Sequence, residues 1–309
     1  MAEFRRARLG ATLSLMAGLT LAGCATAAQE STPRLSSEEL ATQIGEAPTP
    51  ASPPSGQQWL YGSAEGLVAS HQTFRLLTAY ALDKAAHRPA ESVVLAPGAT
   101  PADPEFIPCG DRPFAAVFDA DETLLWNIGS MRVFAERKQD FDPAIWDAWE
   151  RTGAGYALPL PGAVEALDTL RAAGITIIVN TNRTGGNAAG TEATLKAAGL
   201  GEFHHGDSLF LMGDDETGSS KDRRRETISA RYCVIALGGD QLGDFAQAFN
   251  QRTLPVKERK AMAANPAIAS MWGNGWFLFA NPVYGPSIRG DFDDVFPAER
   301  RWTPEEGNE

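Results

Sequence analysis

Five short, continuously apolar runs, each breaking off into polar residues, constrain this chain more than any other feature. Phe114 to Phe118 ends in Asp119, and Ile175 to Val179 ends in Asn180-Thr181-Asn182-Arg183. Ser208 to Met212 is the third run, and Cys233 to Leu237 precedes Gly238-Gly239-Asp240. The fifth, Trp276 to Ala280, runs into Asn281. Unbroken rather than alternating apolarity marks strands covered on both faces. Between them lie helical patterns: Gly162 to Ala173 with Gly174 as its stop, Thr191 to Ala198 with Gly199, and Ser220 to Arg231. A longer one, Ser63 to His87, comes first and stops at Pro89. Strands alternating with helices predict a parallel five-stranded core sheet in a three-layer α/β/α sandwich. Such sheets bind ligands beyond the carboxyl ends of their strands, which is where the polar residues gather.

Charge limits what that ligand can be. Against 27 Lys plus Arg stand 39 Asp plus Glu, a net charge of −12, with no long basic stripe. A nucleic-acid polymer is therefore excluded as a partner, and phosphate requires a local site helped by a cation. His71, His87, His204 and His205 show no metal-ligand spacing, which disfavours a histidine zinc site.

The amino terminus carries an address. Arg5, Arg6 and Arg8 precede the apolar run Leu9 to Leu21, which is too short to span a bilayer comfortably. Leu21-Ala22-Gly23-Cys24 resembles the lipobox of bacterial lipoproteins, which implies a signal peptide over 1–23 and acylation of Cys24. The alternative is a plain signal peptide with an incidental Cys. Ala25 implies sorting to the outer membrane, facing the periplasm or the surface, with the lipid as the sole membrane contact. Residues 24–56, with Pro48, Pro50, Pro53 and Pro54, read as a tether.

The strand ends carry the chemistry. Asp119-Ala120-Asp121-Glu122-Thr123 places two carboxylates beyond a buried strand, where one can attack and the other can move a proton. With its strand, this motif resembles that of the haloacid dehalogenase (HAD) superfamily of phosphatases. The resemblance extends to three further motifs in order: Thr181, then Lys221 opening a helix, then Asp240 and Asp244 in Gly239-Asp240-Gln241-Leu242-Gly243-Asp244. It implies Asp119 as nucleophile, Asp121 as acid and base, Thr181 as a donor to the phosphoryl group, and Lys221 as a fixed positive charge. A cation would sit on Asp119, Asp240 and the backbone carbonyl of Asp121, with Thr123 and Asp244 supporting from behind. Oxygen-only ligands favour Mg2+. A dehalogenase would need only the first Asp, so the intact Asp121 and Asp240 argue against one.

A narrower resemblance is to the exported class C acid phosphatases, which include outer-membrane lipoprotein 5′-nucleotidases. It runs from about Trp59 to Tyr284 on Tyr61-Gly62-Ser63-Ala64-Glu65, Pro159-Leu160-Pro161-Gly162-Ala163, Thr181-Asn182-Arg183 and Asn281-Pro282-Val283-Tyr284-Gly285. It implies a Rossmann-like core over 57–295 with a smaller helical cap from about 57–90 and 124–160, and a tail over 296–309. Asp142-Pro143 opens a cap helix carrying Ile145, Trp146 and Trp149. Asn182, Arg183, Tyr284 and Trp126 are the expected substrate contacts. Trp126 with Ile128-Gly129, and Arg289-Gly290-Asp291, depart from the family pattern on the leaving-group side. In the superfamily's sheet order the strands after Cys109 and at Cys233 are neighbours, which permits a disulfide in an oxidising compartment; two free thiols are the alternative.

The leading expectation is a magnesium-dependent acid phosphatase acting on small phosphomonoesters, including nucleoside 5′-monophosphates, through an aspartyl-phosphate. A phosphotransferase using the same intermediate, and a non-catalytic lipoprotein binding a phosphorylated ligand, are the alternatives.

Overall fold

The computed structural model describes residues 52–304; the expected signal peptide, Cys24, nearly all of the tether and the end of the tail lie outside the described residues. A turn of helix, Ser55–Gln57, runs into a π-helical stretch, Gln58–Gly62. Ser63 then caps helix α1 (Ala64–Ala86) by accepting from the Gly66 amide at 2.9 Å. Its Phe74, Leu77 and Ala81 recur at helical spacing and are buried. Among the described residues no helix is long and apolar enough to cross a membrane.

Strands β1 (Glu91–Leu95) and β2 (Phe106–Pro108) form an antiparallel pair with an irregular register. Next come β3 (Phe114–Phe118), the two-residue β4 (Leu125–Trp126), α2 (Ile128–Arg137) and α3 (Pro143–Thr152). The two-residue β5 (Leu158–Pro159) precedes α4 (Ala163–Ala172), β6 (Thr176–Thr184) and α5 (Ala188–Ala197). Strand β7 (Leu209–Met212), α6 (Asp222–Arg231), β8 (Cys233–Gly239) and β9 (Trp276–Leu278) complete the core.

The main sheet has five strands in the order β7-β6-β3-β8-β9, every pairing parallel. The continuous apolarity of β3 has its reason here. Ala116 and Phe118 face one buried layer with Phe74 and Leu77, while Ala115 and Val117 face the other with Phe245 and Trp276. Strand β3, which leads into Asp119, thus lies at the centre of the sheet, and Cys109, just ahead of it, is joined to Cys233 of β8 by a disulfide.

Several elements differ from expectation at their ends: β8 runs on to Gly239 and α5 begins at Ala188. Strand β6 continues through Asn180 to Thr184, because Thr184 pairs with Met212 after a register shift. Strand β9 stops at Leu278 rather than Ala280. Between β3 and α4, Leu125 and Trp126 pair with Pro159 and Leu158, closing the base of the segment that carries α2 and α3. Asp142 caps α3 by accepting from the amides of Ala144 and Ile145, at 2.8 and 3.2 Å. Helix α3 packs tightly on α5: a Cβ at Gly190 would fall 2.2 Å from the Glu150 carbonyl oxygen, so only glycine permits the approach.

Candidate active site

The carboxyl ends of β3, β6 and β8 and the start of α6 converge on one cavity of about 670 Å³, lined among others by Asp119, Asp121, Asn182, Lys221, Asp240, Asp244 and Tyr284. Asp119 follows β3 directly, and its amide donates to the Gly238 carbonyl at 2.9 Å, which fixes the loop against β8. Lys221, at the N-cap of α6, puts its ammonium 2.6 Å from Asp119 Oδ1 and 2.6 Å from Asp244 Oδ1. Asp240 Oδ2 accepts from Asn281 Nδ2 at 2.7 Å and Gln241 Nε2 at 3.0 Å, while Oδ1 accepts from Thr123 Oγ1 at 3.4 Å. Asp244 Oδ2 accepts from the Gln241 amide at 2.9 Å. Gly239 makes this turn possible, since a Cβ there would lie 2.3 Å from Asp244 Cβ.

Oxygens of Asp119, Asp240 and Asp244 all lie within 4.8 Å of one another. Asp244 is therefore part of the carboxylate cluster rather than a support behind it. Burial pushes the Asp119 carboxyl up to about 6 even though Lys221 pulls it down, and repulsion from Asp244 and Asp121 adds to the rise. Burial, then Asp244 and Asp119, hold the Asp240 carboxyl well above the ordinary carboxylate value. Burial acts to lower the Lys221 ammonium, but Asp119 and Asp244 outweigh it and keep it charged. One ammonium cannot neutralise three carboxylates. The donor set is all oxygen and short of positive charge, which suits a hard divalent cation.

The second half of the first motif is built differently. Asp121 Oδ1 accepts from Arg183 Nη2 at 2.7 Å, Arg183 Nε at 2.9 Å and Asn127 Nδ2 at 2.9 Å. Glu122 is fully buried and accepts from Tyr61 Oη at 2.9 Å, the Asn127 amide at 3.0 Å, Asn127 Nδ2, and the Tyr284 hydroxyl. Burial, then the neighbouring Asp121, push its carboxyl up to about 7 against the pull of those donors. Glu122 also sits at φ 51°, the left-handed region that non-glycine residues rarely occupy.

Several sequence expectations are corrected. Arg183 does not face substrate: its side chain is 0% exposed and forks onto Asp121. Trp126 is also enclosed, 8% exposed, edge-on to Tyr61 with ring centroids 5.9 Å apart, and it is not part of the cavity wall. Tyr284 does line the cavity, but its hydroxyl is committed to Glu122. Asn182 lines the cavity and donates to the Ser219 carbonyl at 3.0 Å. Thr181 is fully buried at the same strand end, where its Oγ1 accepts from the Arg183 amide at 3.3 Å. Glu122 stands in the first motif with no role assigned from sequence; Tyr61 marks only a helix start; nothing local distinguishes Asn127 or Trp149.

The inserted segment lines the cavity with the apolar Met131, Phe134, Phe141 and Trp146, interspersed with Gln139, Asp140, Asp147 and Glu150, and the loop after β9 adds Val283 with Tyr284. The cavity therefore joins a charged floor to an aromatic mouth.

Comparison with known proteins agrees with this geometry. The family model of the HAD superfamily, subfamily IIIB (acid phosphatase), matches residues 73–287. Among curated proteins, acid phosphatase 1 of Solanum lycopersicum is 26% identical over 133 residues, covering 41% of this chain and 50% of that protein. The stem 28 kDa glycoprotein of Glycine max is 30% identical over 134 residues, covering 41% of this chain and 51% of that one. The chain spans about half the length of the curated relatives it matches. The class C acid phosphatase from Bacillus anthracis, solved with tungstate bound, aligns with a TM-score of 0.59 at 23% identity, over 74% of this chain and 84% of its own. That likeness shows a shared fold. With the family match covering most of its length and all the carboxylates of the site, the chain belongs to subfamily IIIB of the HAD superfamily, the acid phosphatases.

Proposed function

We propose that this protein is a phosphomonoester hydrolase that works through an aspartyl-phosphate on Asp119. The carrying observation is the buried Asp119 at the end of the central strand, on the cavity wall, 2.6 Å from a lysine and beside two further carboxylates. Asp119 attacks the phosphorus; the bond to the leaving oxygen breaks as Asp121 gives that oxygen its proton. Water then attacks the phosphorus while Asp121 takes its proton, and the bond to Asp119 breaks to restore the carboxylate. Lys221 holds Asp119 and balances part of the charge that accumulates. The Thr181 hydroxyl accepts from the Arg183 amide, which leaves its proton free for the donor role to the phosphoryl group that this reading gives it.

Asp119, Asp240 and the Asp121 backbone carbonyl would hold Mg2+, with Asp244 in the same cluster. Bound there, the ion would supply positive charge to the phosphoryl group. The aromatic mouth suits aryl phosphates and nucleoside 5′-monophosphates, which present a flat leaving group. A phosphate-release screen across nucleotides, sugar phosphates and aryl phosphates, with Mg2+ and with chelator, tests this reading. Turnover of aryl and nucleoside monophosphates that chelator abolishes is expected; no turnover of any phosphomonoester with metal present defeats it.

The amino-terminal reading extends the proposal to place. Cys24 and its preceding apolar run support an exported lipoprotein held at the outer membrane by its lipid. Membrane-fraction recovery should be lost in Cys24→Ala while turnover is kept; recovery of that variant in the membrane fraction rules the anchor out.

A further inference from the structure

The two oxygens of Asp121 are held unequally. Oδ1 takes three donors, two from Arg183 and one from Asn127, whereas Oδ2 has only a 3.3 Å contact from Arg183 Nε. The saturated oxygen has no direction left to hold a proton. The orientation of Asn127 is itself dictated. Its Oδ1 accepts from Trp149 Nε1 at 2.9 Å and from Arg183 Nη2 at 2.9 Å. Both partners can only donate, so the amide NH2 must face Asp121 and Glu122. Trp149 rides on α3, and its neighbour Trp146 lines the cavity with its ring 5.8 Å from the Arg183 guanidinium carbon.

We propose that Arg183 and Asn127, the latter set by Trp149, are positioning residues that immobilise Oδ1 of Asp121 and so make Oδ2 the oxygen that gives and takes the proton. The assignment rests on the hydrolytic reading above and adds to it the atom and its supports. An arginine suits this place because it never loses its charge and its fork matches a carboxylate. The inserted helix α3 thereby reaches the proton-transfer step without touching phosphate.

Leaving groups of different basicity separate this from a bulk structural role. The nitrophenolate of p-nitrophenyl phosphate departs without a proton; the alkoxide of glycerol phosphate needs one. First-turnover release is measured for both, because Asp121 also serves the later water step. Arg183→Met should slow the first turnover of glycerol phosphate by roughly 10²-fold, the usual worth of a placed general acid, while nitrophenolate release changes by less than about threefold. Arg183→Lys should recover part of the loss, since one donor to Oδ1 remains. Trp149→Phe, which keeps the ring and deletes the donor, should shift the same ratio by roughly three- to tenfold. Equal slowing of both substrates, or a raised KM with kcat unchanged, overturns the proposal. If Arg183→Met does not fold, Trp149→Phe decides, and an unchanged ratio there overturns it as well. Absence of any nitrophenolate release from the unmodified protein strikes instead at the hydrolytic reading.

Discussion

Two neighbouring carboxylate clusters share one loop and are organised in opposite ways. Around Asp119, Asp240 and Asp244 there is too little positive charge, a single lysine for three acids. Around Asp121 and Glu122 the donors are abundant: a buried arginine, an asparagine and two tyrosines. On the proposed reading the first cluster would be completed by a cation from outside the chain, whereas the second is completed from within it. A site that must exchange phosphate and cation cannot saturate its own oxygens, whereas one that must aim a single proton gains from doing so.

The contrast can be broken most sharply at Asp119. Asp119→Asn should lower turnover roughly 10⁴-fold or more, as removing a nucleophile does. Without metal it should also raise stability at neutral pH by on the order of 2 kcal/mol, because a buried charge whose carboxyl is pushed up to about 6 is gone. Thermal melting in chelator measures it, and a lower melting temperature would contradict the charge argument. Next is the metal. At one hundred times its Kd, Mg2+ should stabilise the protein by about 2.7 kcal/mol, and Asp240→Asn should lose most of that gain. A melting shift unchanged in the variant would place the cation elsewhere.

The saturated cluster makes a smaller, pH-dependent prediction. The folded carboxyl of Glu122 is raised to about 7 from 4.5, so the folded state holds a proton that the unfolded chain releases. Stability should therefore be highest below pH 4.5 and fall as pH rises through the window to about 7, by on the order of 1 kcal/mol per unit. Glu122→Gln should flatten that slope in denaturant titrations; an undiminished slope assigns it to another group. Smallest of all is Trp126→Phe. Enclosed against Tyr61, it should cost about 1 kcal/mol of packing and leave KM within about twofold. A large change in KM would return this ring to the substrate.

The sheet was legible because each central strand is apolar on both faces, so five runs stand out against a polar background. The acids at their ends were legible for a related reason: a charge adjoining a buried strand needs a function or a partner. What sequence could not supply was the partner. Arg183 reads as a ligand of substrate because it follows Thr181-Asn182, yet it reaches back 62 residues to Asp121. Trp149 finds Asn127 across 22 residues and Tyr284 finds Glu122 across 162. Strands β4 and β5 escape notice because two residues each carry no periodicity. Hydrogen bonds between distant polar residues leave no local pattern, whereas burial does.

Glu150 carries a last consequence. From α3 its carboxylate accepts the Thr184 amide at 3.2 Å, the Thr184 hydroxyl at 2.6 Å and Asn187 Nδ2 at 2.9 Å, while Gly190 lies flush against its carbonyl. With Asp147, which accepts from Asn187 Nδ2 at 2.9 Å, Glu150 ties the roof over the cavity to the floor at several points. Selectivity then becomes a matter of a fixed aperture. To retune which molecules enter, one would recut its rim at Phe141 or Trp146 rather than loosen a lid.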